Sequence, residues 1–164
     1  SINLSYVQIL KSPLMMELKQ MIECSGISCS GIIVELTESG YLEGTPAVRS
    51  VWNDMKQLRI QIALDDFGTG YSNLMNISNL EPDIVKLDRG FTLKALSRSY
   101  EYQLMQYVIE MVHKLNQYVC VEGVETKEDL EKIKALGPDL IQGYYYSKPC
   151  SRDEFLKKFF CYSE

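Results

Sequence analysis

The chain has few of the residues that enzymes use for nucleophilic or zinc chemistry. It contains a single histidine, His113, and five cysteines that are scattered along the sequence. His113 falls within the apolar stripe of a helical pattern, so we expect a packed or surface side chain there. This removes serine–histidine and cysteine–histidine triads from consideration. The cysteines lack paired zinc-type spacing, which predicts reduced thiols and a cytoplasmic protein.

Long apolar runs and excess positive charge are also missing. No run approaches the ~20 residues of a membrane span. The formal net charge of −5 argues against a surface for DNA or other polyanions. A substrate that carries phosphates would therefore need metal ions, rather than a lysine patch, to neutralise it.

Short apolar segments recur along the chain, and nearly all of them end in a polar residue. They cover residues 2–5, 32–38, 63–66, 83–88, 118–125 and 140–143. Between them, apolar residues recur at helical spacing. The longest stripe is Leu104, Tyr107, Val108, Met111, Val112 and Leu115, and the last is Phe155, Leu156 and Phe159. Six strands that alternate with helices predict parallel βαβ units around one core.

The polar residues lie where the predicted strands end. They are Glu35, Asp65, Asp66, Lys86, Glu122 and Gln142. In parallel α/β folds the loops after the carboxyl ends of the strands carry the chemistry. Oxygen ligands and a charged partner at five strand ends therefore predict a functional site at this edge rather than solvated surface.

The pair Asp65 and Asp66 needs a break in its strand, since neighbouring side chains of a regular strand point to opposite faces. Gly68 and Gly70 are predicted to supply that break. Two carboxylates at one place repel each other, so one would be held protonated unless a cation lay between them. Taken alone, this segment favours a solvated strand end with an Asx-type turn over a functional site.

Two architectures remain open at this point. A TIM barrel needs eight βα units and ~250 residues. Because the chain opens inside a strand at Ile2, two units are expected to be missing from its front. The alternative is an open, doubly wound sheet of six strands that is complete as it stands. That sheet would carry a glycine-rich phosphate turn after its first strand, and residues 3–6 form nothing of the kind.

Six motifs in order resemble the EAL domain, a family of bacterial cyclic-di-GMP phosphodiesterases. They are Asn-Leu-Ser at 3–5, Glu-Leu-Thr-Glu at 35–38, Asp-Asp-Phe-Gly-Thr-Gly-Tyr-Ser at 65–72, Lys-Leu-Asp at 86–88, Glu-Gly-Val-Glu-Thr at 122–126 and Gln-Gly-Tyr at 142–144. The resemblance implies an α/β fold, a (β/α)8 TIM-like barrel with about six of its βα units here. Residues 1–164 would form the C-terminal two-thirds of the domain.

The resemblance also implies a two-metal site with Mg²⁺ or Mn²⁺ that hydrolyses cyclic-di-GMP to linear pGpG. Asn3, Glu35 and Asp65 resemble ligands of the first metal, and Asp65, Asp66 and Glu122 those of the second. Lys86 resembles the lysine that contacts the nucleophilic water or the phosphate.

Four further residues are placed around that site. Glu38 resembles an acid that braces the loop after Asp66, while Glu125 and Gln142 resemble residues that line the site, Gln142 on the substrate side. Lys86 and Asp88 share a strand face, so both could point to the site. An ion pair between the two is the alternative to a catalytic role for Lys86.

The Glu-Ala-Leu segment that names the family does not occur in the chain. Its glutamate is a metal ligand in active members, and a nearby arginine helps to bind substrate. We therefore expect the chain alone to be impaired, to self-associate or form a homodimer, and to follow sensory or cyclase domains. A cyclic-di-GMP receptor without hydrolysis and a regulatory interaction module remain alternatives.

Overall fold

The sheet determines the architecture of the chain. A computed structural model describes residues 1–11, 13–37, 46–69, 77 and 81–160. The strands are β1 (Ile2–Leu4), β2 (Ile33–Thr37), β3 (Gln61–Phe67), β4 (Ile84–Leu87), β5 (Tyr118–Glu122) and β6 (Leu140–Gln142). Neighbouring strands are all parallel, and their order in the sheet is their order in the chain.

This consecutive order decides between the two predicted architectures. A doubly wound sheet reverses its strand order at a switch point. The order β1 to β6 shows no reversal and matches part of a TIM-like barrel. The prediction of an α/β fold that forms part of a TIM-like barrel is confirmed, and the doubly wound alternative is wrong.

The described helices lie mostly between the strands. They are α1 (Tyr6–Lys11), α2 (Leu14–Ser25), α3 (Pro46–Gln57), α4 (Arg89–Ser97), α5 (Ser99–Lys114), α6 (Lys127–Lys134) and α7 (Arg152–Phe159), with a 3₁₀ turn at Cys29–Gly31. The sequence patterns did not predict α1 or α4. None of the described helices has the length and apolar character needed to cross a membrane.

The strand register sorts side chains onto two faces of the sheet. One face packs against the helices and is apolar, with Val34, Leu36, Ile62, Leu64, Val85, Leu87, Val119 and Val121 all buried. The other face has a small apolar cluster of Ala63, Ile84 and Cys120. The second face is therefore the interior of the barrel, and polar residues follow this cluster toward the carboxyl ends of the strands.

In two helices the buried residues differ from those that the sequence patterns predicted. Helix α5 buries Met105, Ile109 and Val112, whereas Leu104 and Tyr107 are 42% and 65% exposed. In α7 no residue is buried, although its apolar stripe was expected to pack against the sheet. The reason is that β6 is an edge strand, and α7 borders an open cavity of about 780 Å³ beside it.

Candidate active site

Six of the polar residues predicted for the site lie on the interior face of the sheet. The register pairs that establish this are Asn3 with Glu35, Glu35 with Ala63, Ala63 with Ile84, Lys86 with Cys120 and Glu122 with Gln142. Since side chains alternate along a strand, Asp65 and Lys86 share the face of Ala63 and Ile84. The sheet therefore brings residues from six strands to one face near its carboxyl edge.

Lys86 lies at the centre of this face. Its Nζ is 2.8 Å from Glu35 Oε2, 2.9 Å from Asp65 Oδ1 and 2.6 Å from Glu122 Oε1. The Lys86 side chain is only 6% exposed, and those of the three acids are 9%, 13% and 19% exposed, respectively. Glu35, Asp65, Lys86 and Glu122 thus form one ionic cluster, which we call the carboxylate cluster.

Burial and ion pairing act against each other in this cluster. Burial lowers the pKa of Lys86, but hydrogen bonds to the three acids outweigh it and raise the pKa above its usual range. Burial raises the pKa of Glu35, yet Lys86 holds the net pKa below its usual value. For Glu122, burial prevails over Lys86 and raises the pKa. One ammonium thus compensates three acids incompletely.

Asp66 lies at an irregularity in β3. Leu64 pairs with Val85 and Phe67 with Leu87, so β3 uses one residue more than β4 between these pairs. Asp66 takes φ 61° there, a left-handed conformation that strands normally exclude. The predicted break therefore lies at Asp66 itself, before Gly68, while Gly70 falls outside the described residues. Partial burial, Asp65 and Asp88 together raise the pKa of Asp66.

The residues predicted around the site have separate partners. Asp88 caps α4, because its Oδ1 accepts hydrogen bonds from Gly90 N at 2.7 Å and Phe91 N at 3.3 Å. Lys86 therefore pairs with the three acids of the carboxylate cluster. The ion pair between Lys86 and Asp88, which was the alternative to a catalytic role, is not what the structure shows for these two residues. Glu125 Oε1 accepts a hydrogen bond from Arg89 Nη2 at 2.7 Å. Glu38 lies outside the described residues.

Arg89 is a site residue that the sequence reasoning missed. It lines a cavity of about 410 Å³ together with Glu122, Gln142 and Tyr144. Gly123 has φ 81°, and a side chain at Gly123 would collide with Arg89. The sequence did contain a signal for Arg89. It directly follows Asp88, the acid that ends a predicted strand.

The donor chemistry of the site fits a hard divalent cation. Carboxylate and amide oxygens are the ligands that Mg²⁺ and Mn²⁺ prefer, and Asn3, Glu35, Asp65, Asp66 and Glu122 all offer them. Within the described ranges, however, no three histidine, cysteine or acidic residues are arranged to hold a metal ion. Three of the acids instead direct an oxygen at Lys86.

The family model of the EAL domain matches residues 1–149. The chain belongs to the EAL domain family. Among its relatives is the cyclic di-GMP phosphodiesterase PdeF of Escherichia coli K12, which is 32% identical over 149 residues. This match covers 91% of the chain and 20% of PdeF. The chain thus spans about a fifth of the length of the first curated relatives it matches.

Solved EAL structures share the fold. The EAL enzyme Bd1971, bound to cAMP and cyclic-di-GMP, superposes with a TM-score of 0.89 at 31% identity, covering 95% of the chain and 41% of Bd1971. The manganese and cyclic-di-GMP complex of Klebsiella pneumoniae BlrP1 has a TM-score of 0.85 at 27% identity. That match covers 91% of the chain and 38% of BlrP1.

Proposed function

We propose that this EAL chain supplies most of the active site of a metal-dependent phosphodiesterase that hydrolyses cyclic-di-GMP to linear pGpG. The convergence of Glu35, Asp65 and Glu122 on one interior face carries the proposal. Three acids from different strands at one point serve poorly as packing, because their charges are only partly compensated. The activity named for PdeF supports the same function.

Asn3, Glu35, Asp65 and Glu122, which are oxygen donors of this face, would hold the metal ions together with Asp66 at the irregularity in β3. Bound there, Mg²⁺ or Mn²⁺ would supply an acidified water and would stabilise the charge that develops in an in-line displacement. The manganese named for the BlrP1 complex supports a divalent metal ion at this site.

The other residues of the chain would bind and orient the nucleotide. The charge of Lys86 would face the nucleophile or the developing phosphorane, where negative charge accumulates. Gln142 and Arg89 line one cavity beside Glu122 and would contact the substrate. Glu125 would hold Arg89 in place through the observed ion pair.

The test is product formation, measured by chromatographic separation of cyclic-di-GMP from pGpG. Residues 1–164 would be compared with the same residues preceded by a segment that carries Glu-Ala-Leu. The extended protein should form pGpG with Mg²⁺ or Mn²⁺, and residues 1–164 should be far slower. Asp65→Asn should abolish product, while Asp83→Asn, the same change at the other end of the sheet, should preserve it.

The same experiment separates the alternatives. Nucleotide binding without product by the extended protein would contradict the enzyme and favour a cyclic-di-GMP receptor. Neither binding nor product would favour a regulatory interaction module.

Self-association is a further prediction for the chain alone. Strands β1 and β6 have free edges in the sheet, and Ile2 and Leu140 on them are 46% and 45% exposed. Free edges and exposed apolar side chains favour association. Light scattering should show a mass that grows with protein concentration, and a monodisperse monomer would contradict this. Sensory or cyclase domains upstream, two further βα units before Ser1 and a cytoplasmic location stay predictions of the sequence.

A further inference from the structure

The three hydrogens of the Lys86 ammonium are all in use. An ammonium group has three N–H donors and no acceptor. Glu35, Asp65 and Glu122 each lie within 2.9 Å of Nζ, which accounts for all three donors. In this arrangement Lys86 has no hydrogen left for a nucleophilic water or a phosphate oxygen. Its proposed role in the reaction therefore requires a second arrangement of the cluster.

The three acids face the same conflict. Each of the three acids directs one of its two carboxylate oxygens at Lys86, and the described residues contain no ready-made metal group. The cluster is also deeply placed, since Lys86 is 5% and Glu35 8% exposed. An unpaired charge at such a position is costly, so ionised acids need a cation beside them, which Lys86 supplies in this arrangement.

We propose that Lys86 is a built-in counter-cation, which holds the three acids together while no metal is bound and releases them when a divalent ion binds. This inference rests on the proposed metal site and adds a second state of Lys86 to it. In the metal-free state Lys86 keeps the site assembled. In the loaded state its ammonium is free to face the substrate.

The inference makes metal binding a competition. In the wild-type protein a metal shares the three acids with Lys86, and the ammonium beside them repels that metal. Removing the ammonium should therefore tighten metal binding, although it lowers activity. Two other roles of Lys86 predict different results. If Lys86 only oriented water in the loaded site, its removal would leave metal affinity unchanged. If Lys86 held the ligands in place for the metal, its removal would weaken metal binding.

The test is Mn²⁺ affinity measured by calorimetry on residues 1–164. Lys86→Met should lower the dissociation constant about tenfold, because the competing ammonium beside the three acids is gone. Lys86→Arg keeps the charge and should not tighten binding. Lys132→Met removes an exposed lysine that pairs with Glu128 and serves as the matched charge control. Equal or weaker Mn²⁺ binding by a folded Lys86→Met protein would overturn the inference.

A second measurement uses the wild-type protein and does not depend on the folding of a variant. NMR of ¹⁵N-lysine should detect a protected Lys86 ammonium without metal, because Lys86 is buried whereas the other lysines whose side chains the structure describes are exposed. Saturating Mg²⁺ should shift or remove this signal. An unchanged signal, with Mg²⁺ binding confirmed by calorimetry, would overturn the counter-cation but leave the metal site intact. Absence of any Mg²⁺ or Mn²⁺ binding would overturn both.

Discussion

Acidic side chains lie at both ends of the sheet, but they meet different partners. At the amino end, Asp83 Oδ2 accepts a hydrogen bond from Ile62 N at 2.8 Å. Asp139 Oδ2 accepts one from Val119 N at 2.8 Å and lies 2.9 Å from His113 Nε2. Each of these acids has donors of its own, whereas the three acids of the carboxylate cluster share one ammonium.

The amino end repeats a single device. Asp83 and Asp139 each follow a proline and directly precede a strand, β4 and β6 respectively. Each also donates its backbone N–H to the preceding strand, Asp83 to Ile62 O at 2.9 Å and Asp139 to Val119 O at 3.1 Å. One residue therefore joins two strands through its backbone and its carboxylate. We call these two residues the Pro-Asp clamps.

The difference teaches how one fold separates stability from function. A carboxylate fixed by backbone donors stabilises the folded state, and the pKa of Asp139 is held below its usual value despite its partial burial. The carboxylate cluster instead keeps more acids than its ammonium compensates. Active sites commonly accept such a cost in stability. In TIM barrels the carboxyl face carries chemistry and the amino face stability.

The largest expected effect follows from removing the one cation of the carboxylate cluster. Lys86→Met leaves three acids without their shared partner and should cost about 3–5 kcal/mol of unfolding free energy. Urea denaturation of metal-free protein measures this, with Lys132→Met as the control. If Lys86→Met lost no more unfolding free energy than Lys132→Met, the three acids would not depend on Lys86 to lie close together.

A pair of matched amide substitutions should separate the two ends by the sign of their effect. Glu122→Gln removes one of three competing acids while Lys86 keeps Glu35 and Asp65, so metal-free stability should stay equal or rise by about 1 kcal/mol. Asp139→Asn weakens a charged hydrogen bond to Val119 N and should cost about 1–2 kcal/mol. Thermal unfolding in the presence of a chelator compares the two, and shifts of the same sign would contradict the distinction.

The sequence predicted the strands and the face of the site, because both depend on local pattern. A short apolar run that ends in an acid predicts the end of a strand. Because side chains alternate between the two faces of a strand, the pattern also predicts that Glu35 and Lys86 lie on the interior face. The sequence did not predict that Lys86 would contact three acids. Which charges meet depends on the stagger of four neighbouring strands, and no local pattern contains that information.

The misses have equally physical causes. Helix α4 begins at Arg89 and includes Gly90, so its apolar periodicity is weak, although Asp88 was a readable cap. The apolar stripe predicted for α5 included Leu104 and Tyr107, which are exposed. Helical spacing alone does not distinguish an exposed leucine or tyrosine from a buried one. The sequence patterns did not predict the Pro-Asp clamps. The signal was the pair of proline and aspartate that directly precedes two of the apolar strands.

The smallest expected effect is the acid dependence of a Pro-Asp clamp. The pKa of Asp139 is lowered in the folded state relative to an unfolded value of about 3.9. The unfolded chain therefore binds more protons in this range, and stability rises with pH. The contribution of Asp139 is complete above the unfolded pKa and is lost as the pH falls through the folded pKa. The stability difference between wild type and Asp139→Asn should thus shrink below about pH 4.

Urea midpoints between pH 3 and about 7 measure this difference. Both proteins should carry His113→Gln, which removes the neighbouring imidazole, so that the backbone N–H of Val119 is the partner that is tested. Asp153→Asn changes the same charge on the exposed helix α7 and is the control. A difference that stays constant with pH would mean that the carboxylate charge of Asp139 does not supply the stabilisation. A difference that closes in acid would assign the stabilisation to the carboxylate charge, which is the property that separates the clamps from the carboxylate cluster.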